Sequence, residues 1–213
     1  MVRVLIVDDH PLFRRGLSAE LAKSSDIVLV GEAADGDEAI VAARARKPDL
    51  VLLDIELPGK SGLEVLKQLH AEMPEVKVLV LSAYPDRQYA IRCLKDGAQG
   101  YVTKKTAAEE IMVAVRKVMR GGKYVSDSLA DLLAAQFNLS TVRMPHEELS
   151  DREFQVLCLL GQGKTVSQIA EILSLSLSTI STHRAHILEK MKMRTTAQLV
   201  RYVLDNNLIN IEE

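Results

Sequence analysis

Five apolar runs of strand length, each followed by a stretch of helical periodicity, dominate the first 120 or so residues of this chain. They lie near Val2–Asp8, Ile27–Ala33, Leu50–Asp54, Val76–Ser82 and Gly100–Thr103, and all are rich in leucine or β-branched residues. Strand-length runs alternating with amphipathic helical segments specify repeated βαβ units, hence an α/β fold built on a parallel sheet. Right-handed crossovers then predict a doubly wound, five-stranded sheet. The helical segments agree with this. In DGDEAIVAARARK, Asp35 or Asp37 stands near the start and bases stand at the end, as the helix dipole favours. Between Thr106 and Arg120, Ile111, Val115 and Val118 recur at i, i+4 and i+7, a core-facing stripe that ends at Gly121-Gly122.

The ligand crevice of an open α/β sheet lies beyond the carboxyl ends of its strands. Asp8-Asp9, Asp54 and Ser82 sit at such ends, and Lys104 follows the last strand. Carboxylates gathered in one place repel each other, and a divalent cation relieves the repulsion. All-oxygen ligands suit Mg²⁺, which keeps several waters and needs only one or two protein carboxylates. Asp54 is the candidate nucleophile, since a carboxylate can attack a phosphoryl group to form an acyl phosphate. Lys104 supplies a second cation and Ser82 a hydroxyl. Taken singly, each residue has a blander reading: Asp is a good turn former, and Lys104-Lys105 can be a solvated pair.

The C-terminal third has a different pattern. Ser150-x-x-Glu153, Thr165-x-x-Gln168 and Thr195-x-x-Gln198 are capping boxes, and Ser176 caps LSTISTHRAHILEKM. The first of these opens an apolar helix that stops at Gly161 or Gly163, and a tight turn near Leu173–Leu175 joins the middle two helices. Four short helices are expected after Leu149. Between the two parts, Ser126 is placed to cap a short helix with Leu129, Leu132, Leu133 and Phe137 on one face. NLSTVRMPHEE follows without periodicity and with Pro145, so it is the linker candidate. The expected division is residues 1–121, a linker over 122–148, and 149–213.

Charge separates along the chain although the net value is only -2. Lys164–Arg201 holds six bases against two acids, whereas Ser126–Glu148 holds four acids against one base. A basic C-terminal segment points to nucleic acid, with a solvated helical face as the bland alternative. Two capped helices joined by a short turn form a helix-turn-helix, whose second helix enters the major groove of double-stranded DNA. On that helix Ile180, Ile187 and Leu188 are expected to face the core, while Ser181, Thr182 and Ala185 point away. His183, Arg184 and Lys190 suit phosphates. Cys93 and Cys158 lack metal-ligand spacing and read as reduced, buried thiols. No apolar run approaches the roughly 20 residues that span a bilayer, and the first strand begins at once, so a cytoplasmic protein without a signal peptide or membrane partner is expected.

VDDHPLFRRG, LLDIELPGKSGLEVL, VLVLSAY and GAQGYVTKK together resemble the receiver domain of two-component response regulators, in order and over residues 1 to 120. The segment from Leu149 to Leu204 resembles the LuxR-type DNA-binding domain, so the whole chain is similar to a NarL/FixJ-type response regulator. The resemblance implies a flavodoxin-like receiver in which Asp54 accepts phosphate from a sensor histidine kinase. Asp8, Asp9, Asp54 and the backbone carbonyl of Glu56 would hold Mg²⁺. Ser82 and Lys104 would bind the phosphoryl oxygens, and Tyr101 would be the switch aromatic. It further implies contacts to promoter DNA from Thr165, Thr179, Ser181, Thr182, His183, Arg184, Ala185 and Lys190, and a homodimer on activation paired through Thr196–Asp205. The chain departs from the family at Lys105, where many receivers carry Pro, at Ser181, often Lys, and at Val166, often Asn.

Two other classes use the same residues. An aspartyl-phosphate phosphatase or phosphotransferase would need a second catalytic Asp two residues after Asp54, where Glu56 stands. A regulator that is never phosphorylated would not need the complete set of acids and lysine. The expectation is therefore a regulator that transfers phosphate only onto its own Asp54, not a turnover enzyme.

Overall fold

A computed structural model of the protein describes residues 1–83, 87–106, 108–126, 129–131, 144–206 and 208–209. Two compact units result, Met1–Ala134 and Ala135–Glu213. In the first, β1 (Val2–Val7), β2 (Ile27–Ala33), β3 (Leu50–Asp54), β4 (Lys77–Ser82) and β5 (Gly100–Thr103) form one sheet. Its order is β2-β1-β3-β4-β5, and every pairing is parallel. The strand order reverses between β1 and β3, so this is the point at which a crevice opens.

The strands are continuous apolar runs because both faces of the sheet are covered. Val4 and Ile6, Leu50 and Leu52, and Leu79 and Leu81 share a core cluster with Leu17 and Leu21 of α1 (Pro11–Leu21) and Ile111, Val115 and Val118 of α5 (Ala108–Met119). The alternate residues Leu5, Val7, Val51, Leu53, Val78 and Val80 are also buried, and the period of two turns them to the opposite face. There α2 (Gly36–Arg46), α3 (Gly62–Glu72) and α4 (Arg87–Lys95) pack. Asp35 caps α2 by accepting from the backbone N–H groups of Asp37 and Glu38. The helix expected over Thr106–Arg120 is shorter at both ends, and β1 stops one residue before Asp8.

The first residues of the expected linker are ordered against the sheet. Tyr124 makes a parallel bridge to Gly100, and its backbone exchanges hydrogen bonds with Gln99 and Tyr101. This covers the edge of β5, an open edge being a ready template for unwanted pairing. The Ser126 carbonyl accepts from the Leu129 and Ala130 N–H groups and its Oγ from the Leu129 N–H at 3.4 Å, and Leu129 is buried. Leu132, Leu133 and Phe137 lie outside the described residues.

In the second unit a 3₁₀ turn, Pro145–Glu148, precedes α6 (Asp151–Gly161), α7 (Val166–Ile172), α8 (Leu177–Lys190) and α9 (Thr196–Asp205). The end of the linker candidate is thus ordered. His146 is buried, shares a 2.8 Å hydrogen bond with the Tyr202 hydroxyl of α9, and lies against the Phe154 ring. All three capping boxes form, and Ser176 accepts from Thr179 N–H. Ser174 takes a left-handed φ of 52° in the turn between α7 and α8. Phe154, Leu157, Ile169, Ile180, Ile187, Leu199 and Val203 form the buried interior. Leu188 is only half-buried, unlike its two partners on α8. Cys93 and Cys158 are buried thiols.

Candidate functional site

The register of the sheet brings the predicted residues to one edge. Val7 is paired with Leu53, Asp54 with Leu81, and Ser82 with Thr103, so β1, β3, β4 and β5 end side by side. Asp8 follows β1, Asp54 and Ser82 are the last residues of β3 and β4, and Lys104 follows β5. Asp8, Asp54 and Ser82 are fully buried, while Asp9 is exposed.

Lys104 holds the cluster together. Its Nζ lies 2.5 Å from Asp54 Oδ2 and 2.7 Å from Asp8 Oδ2. Its backbone N–H donates to the Ser82 carbonyl at 2.7 Å, which ties β5 to the end of β4. The ammonium also lies 5.0 Å from the centroid of the Phe13 ring, within cation–π range. Burial works against its charge, but the Asp54 and Asp8 carboxylates outweigh this, and the Lys104 pKa lies above its ordinary value. Burial pushes Asp54 up to about 7, against the pull of Lys104 and with the help of Asp8. The other Asp54 oxygen, Oδ1, accepts from the Glu56 N–H at 3.0 Å.

Gly62 sits at the start of α3, directly beneath Asp54. A Cβ there would run into the Asp54 carbonyl oxygen and the Ile55 Cα. The Gly62 N–H donates to Ile55 O, and Ser61 caps α3 in a capping box with Glu64. The absence of a side chain therefore lets α3 close on the end of β3 that carries Asp54.

Several residues around the site had no assigned role in the sequence reading. His10 Nδ1 lies 2.6 Å from Asp9 and 3.3 Å from Asp8, and the His10 N–H donates to Asp8 Oδ1. Arg14 Nη1 donates to the Asp8 carbonyl while its Nε reaches Glu32. The spacing that places His10 at the N-cap and Arg14 in the first turn of α1 is visible in DDHPLFRR, but only folding brings Glu32 beside Arg14. Ligand atoms of Asp8, Asp9, His10 and Asp54 lie within 4.8 Å of one another. Asp8 Oδ2 is buried and takes no aligned hydrogen bond beyond its ion pair with Lys104. A cluster of three carboxylates beside one imidazole, with Asp8 Oδ2 incompletely satisfied, fits a divalent cation. Tyr101 on β5 is buried. No cis peptide bond occurs among the described residues, and Lys105 follows Lys104 through a trans bond.

In the second unit the α8 residues divide by face. Ser181, Thr182 and Ala185 are exposed, whereas His183 and Arg184 are half-buried. Arg184 reaches Thr196 Oγ1 at 3.4 Å, and its Nε is buried. Lys190 Nζ lies 2.6 Å from Glu153 Oε2 on α6. Thr165 and Thr179 both belong to the caps of α7 and α8.

Residues 4–116 match the response regulator receiver domain, and residues 147–203 match the bacterial regulatory proteins of the luxR family. The chain belongs to the two-component response regulators. Among its relatives is the transcriptional regulatory protein LiaR of Bacillus subtilis, 35% identical over 99% of this chain and 100% of that protein. The response regulator GacA of Pseudomonas aeruginosa is 34% identical over 99% of both chains. A crystal structure of a LuxR-family two-component response regulator from Aurantimonas sp. is 29% identical, covers 65% of this chain and 99% of its own, and superposes with a TM-score of 0.61. This response regulator is thus a DNA-binding transcription regulator, with a receiver unit followed by a LuxR-type helix-turn-helix. Among the described residues no helix is long and apolar enough to cross a membrane.

Proposed function

We propose that a phosphoryl group carried on Asp54 switches this response regulator, and that the switch sets how strongly a dimer binds promoter DNA in the cytoplasm. The observation that carries this reading is the meeting of Lys104 with Asp8 and Asp54 at the strand ends, at 2.7 and 2.5 Å. In it a sensor histidine kinase supplies a phosphohistidine. An Asp54 oxygen attacks phosphorus, the bond from phosphorus to the imidazole nitrogen breaks, and the departing imidazole takes up a proton. Lys104 favours the ionised nucleophile against the burial that would protonate it. Lys104 and the Ser82 hydroxyl then hold phosphoryl oxygens. Asp8, Asp9, Asp54 and the Glu56 carbonyl would hold Mg²⁺, which neutralises charge on the transferred oxygens.

Phosphorylation reads out as a population shift. The phosphoryl group draws Ser82 and Lys104 toward itself and repacks Tyr101, favouring a form that pairs two copies through α9. Leu204 on α9 is 38% exposed, an apolar group available to such a pairing. A two-fold dimer reads paired half-sites about one helical turn, or a multiple of it, apart.

Intact-mass measurement after incubation with Mg²⁺ and acetyl phosphate, or with a phosphorylated sensor kinase, tests the acceptor. A phosphoryl increment in wild type and none in Asp54→Asn is expected, with tighter duplex binding only in wild type. An increment in both proteins would place the acceptor elsewhere, and none from either donor would remove phosphorylation from the mechanism.

A further inference from the structure

DNA-binding proteins of the helix-turn-helix class present the exposed face of their second helix to the base edges of the major groove. In this response regulator the middle of that face is built from small hydroxyl and methyl side chains. Opposite the buried Ile180 and Ile187, the exposed residues in the middle turns of α8 are Ser178, Ser181, Thr182, Ala185 and His186, with Leu177 exposed at its start and Glu189 and Lys190 at its end. The helix has two permanently charged bases, and both have partners within the domain, Lys190 at its surface and Arg184 half-buried. Lys190 pairs with Glu153 at 2.6 Å, and half-buried Arg184 turns toward Thr196. His186 Nδ1 lies 3.8 Å from the same Glu153.

Two of the hydroxyls are committed as well. Thr182 Oγ1 donates to the Ser178 carbonyl one turn earlier at 3.0 Å. A Thr bonded back to its own helix in this way leaves its methyl as the exposed end. Ser178 Oγ is 2.7 Å from the capping hydroxyl of Ser176. The outward surface that remains consists of the Thr182 and Ala185 methyls beside the Ser181 hydroxyl. Exposed Lys164, Lys192 and Arg194 flank the helix-turn-helix at its ends, where phosphates run.

Guanine is read by Arg or Lys on its O6 and N7, whereas the C5-methyl of thymine is read by apolar contact with Ala or a Thr methyl. We infer that Thr182 and Ala185 are specificity-determining residues that read thymine methyl groups, and that the half-site carries its information in thymines and not in guanines. This rests on the reading of the second unit as a sequence-specific DNA reader, and it deepens that reading by naming the bases.

The test is selection of sites from a random duplex pool by the full-length protein, with and without Mg²⁺ and acetyl phosphate. Each thymine of the enriched half-site is then replaced by uracil, which lacks only the C5-methyl. Binding should weaken about fourfold per contacted methyl, the worth of one buried methyl group. Thr182→Ser, which keeps the back-bonded hydroxyl, and Ala185→Gly should each bind thymine and uracil alike at one position. The uracil series on wild type needs no variant to fold. Half-sites in which uracil is neutral and 7-deazaguanine weakens binding would overturn this inference and leave DNA recognition intact. Failure to enrich any sequence under either condition would overturn both.

Discussion

Lys104 Nζ lies 2.5 Å from Asp54 Oδ2, although 50 residues separate them in the chain. The contact joins the ends of two strands that are not neighbours, since β4 lies between β3 and β5. One cation therefore bridges two buried carboxylates across the crevice, and it does so where the proposed Mg²⁺ would act.

Removing Lys104 exposes that arrangement. In Lys104→Met the carboxylates of Asp8 and Asp54 lose their shared partner, and breaking a buried pair costs about 3–5 kcal/mol. Thermal unfolding in EDTA should show the loss, and Mg²⁺ should raise the melting temperature of the variant more than that of wild type. Titration calorimetry should find Mg²⁺ bound about tenfold or more tightly, because a competing positive charge a few ångströms away is gone. Equal Mg²⁺ affinity in the two proteins would mean that the ion does not sit among these carboxylates.

The pH dependence of stability follows from Asp54. Its pKa is pushed up to about 7 in the folded, metal-free protein, by burial first and by Asp8 second, against an unfolded value of about 3.9. Between these values unfolding releases a proton, so this group's contribution is complete below about pH 4 and is lost as pH rises to about 7. Asp54→Asn should remove a slope of up to about 1.4 kcal/mol per pH unit. In EDTA the variant should match wild type near pH 4 and exceed it above pH 7, and parallel curves across this range would refute the assignment.

Gly62 gives a steric prediction. In Gly62→Ala the new methyl meets the Asp54 carbonyl and Ile55 Cα, both of them backbone, so the end of β3 itself must move. Overpacking of this kind costs about 1–3 kcal/mol. Denaturant unfolding should register that loss, and acetyl phosphate labelling should slow because the displaced strand end carries the nucleophile. Wild-type labelling in a destabilised variant would uncouple the two.

Glu153 fastens α8 to α6. Burial raises its pKa, but the hydrogen bonds from Lys190 and Ser150 outweigh burial and hold the carboxyl below its ordinary value. Its stabilisation is therefore complete above about pH 4.3 and is lost as pH falls through the folded value. Glu153→Gln should cost about 1.5–3 kcal/mol at pH 7, the range for a charge-assisted hydrogen bond, and less at pH 3. It also frees Lys190 for a phosphate, which should steepen the log–log salt dependence of duplex binding by about 0.9. An unchanged salt slope would show that Lys190 points away from DNA whatever its partner.

The sequence by itself determined the secondary elements, because these rest on local physics. Buried parallel strands need continuous apolar residues, and the caps at Asp35, Ser150, Thr165, Ser176 and Thr195 act within three residues of themselves. The strand ends followed from the same runs, which is why Asp8, Asp54, Ser82 and Lys104 were legible as one site. Tertiary structure decided what depends on distance in space. It bridged Asp8 and Asp54 with one lysine, set Arg14 against Glu32, added Tyr124 to the edge of β5, and joined His146 to Tyr202. It also paired Lys190 with Glu153 and turned Arg184 toward Thr196 on a helix whose sequence reads as basic. Periodicity reports which face of an element is apolar; it carries no information about which distant charge a flexible side chain will meet once that face is buried.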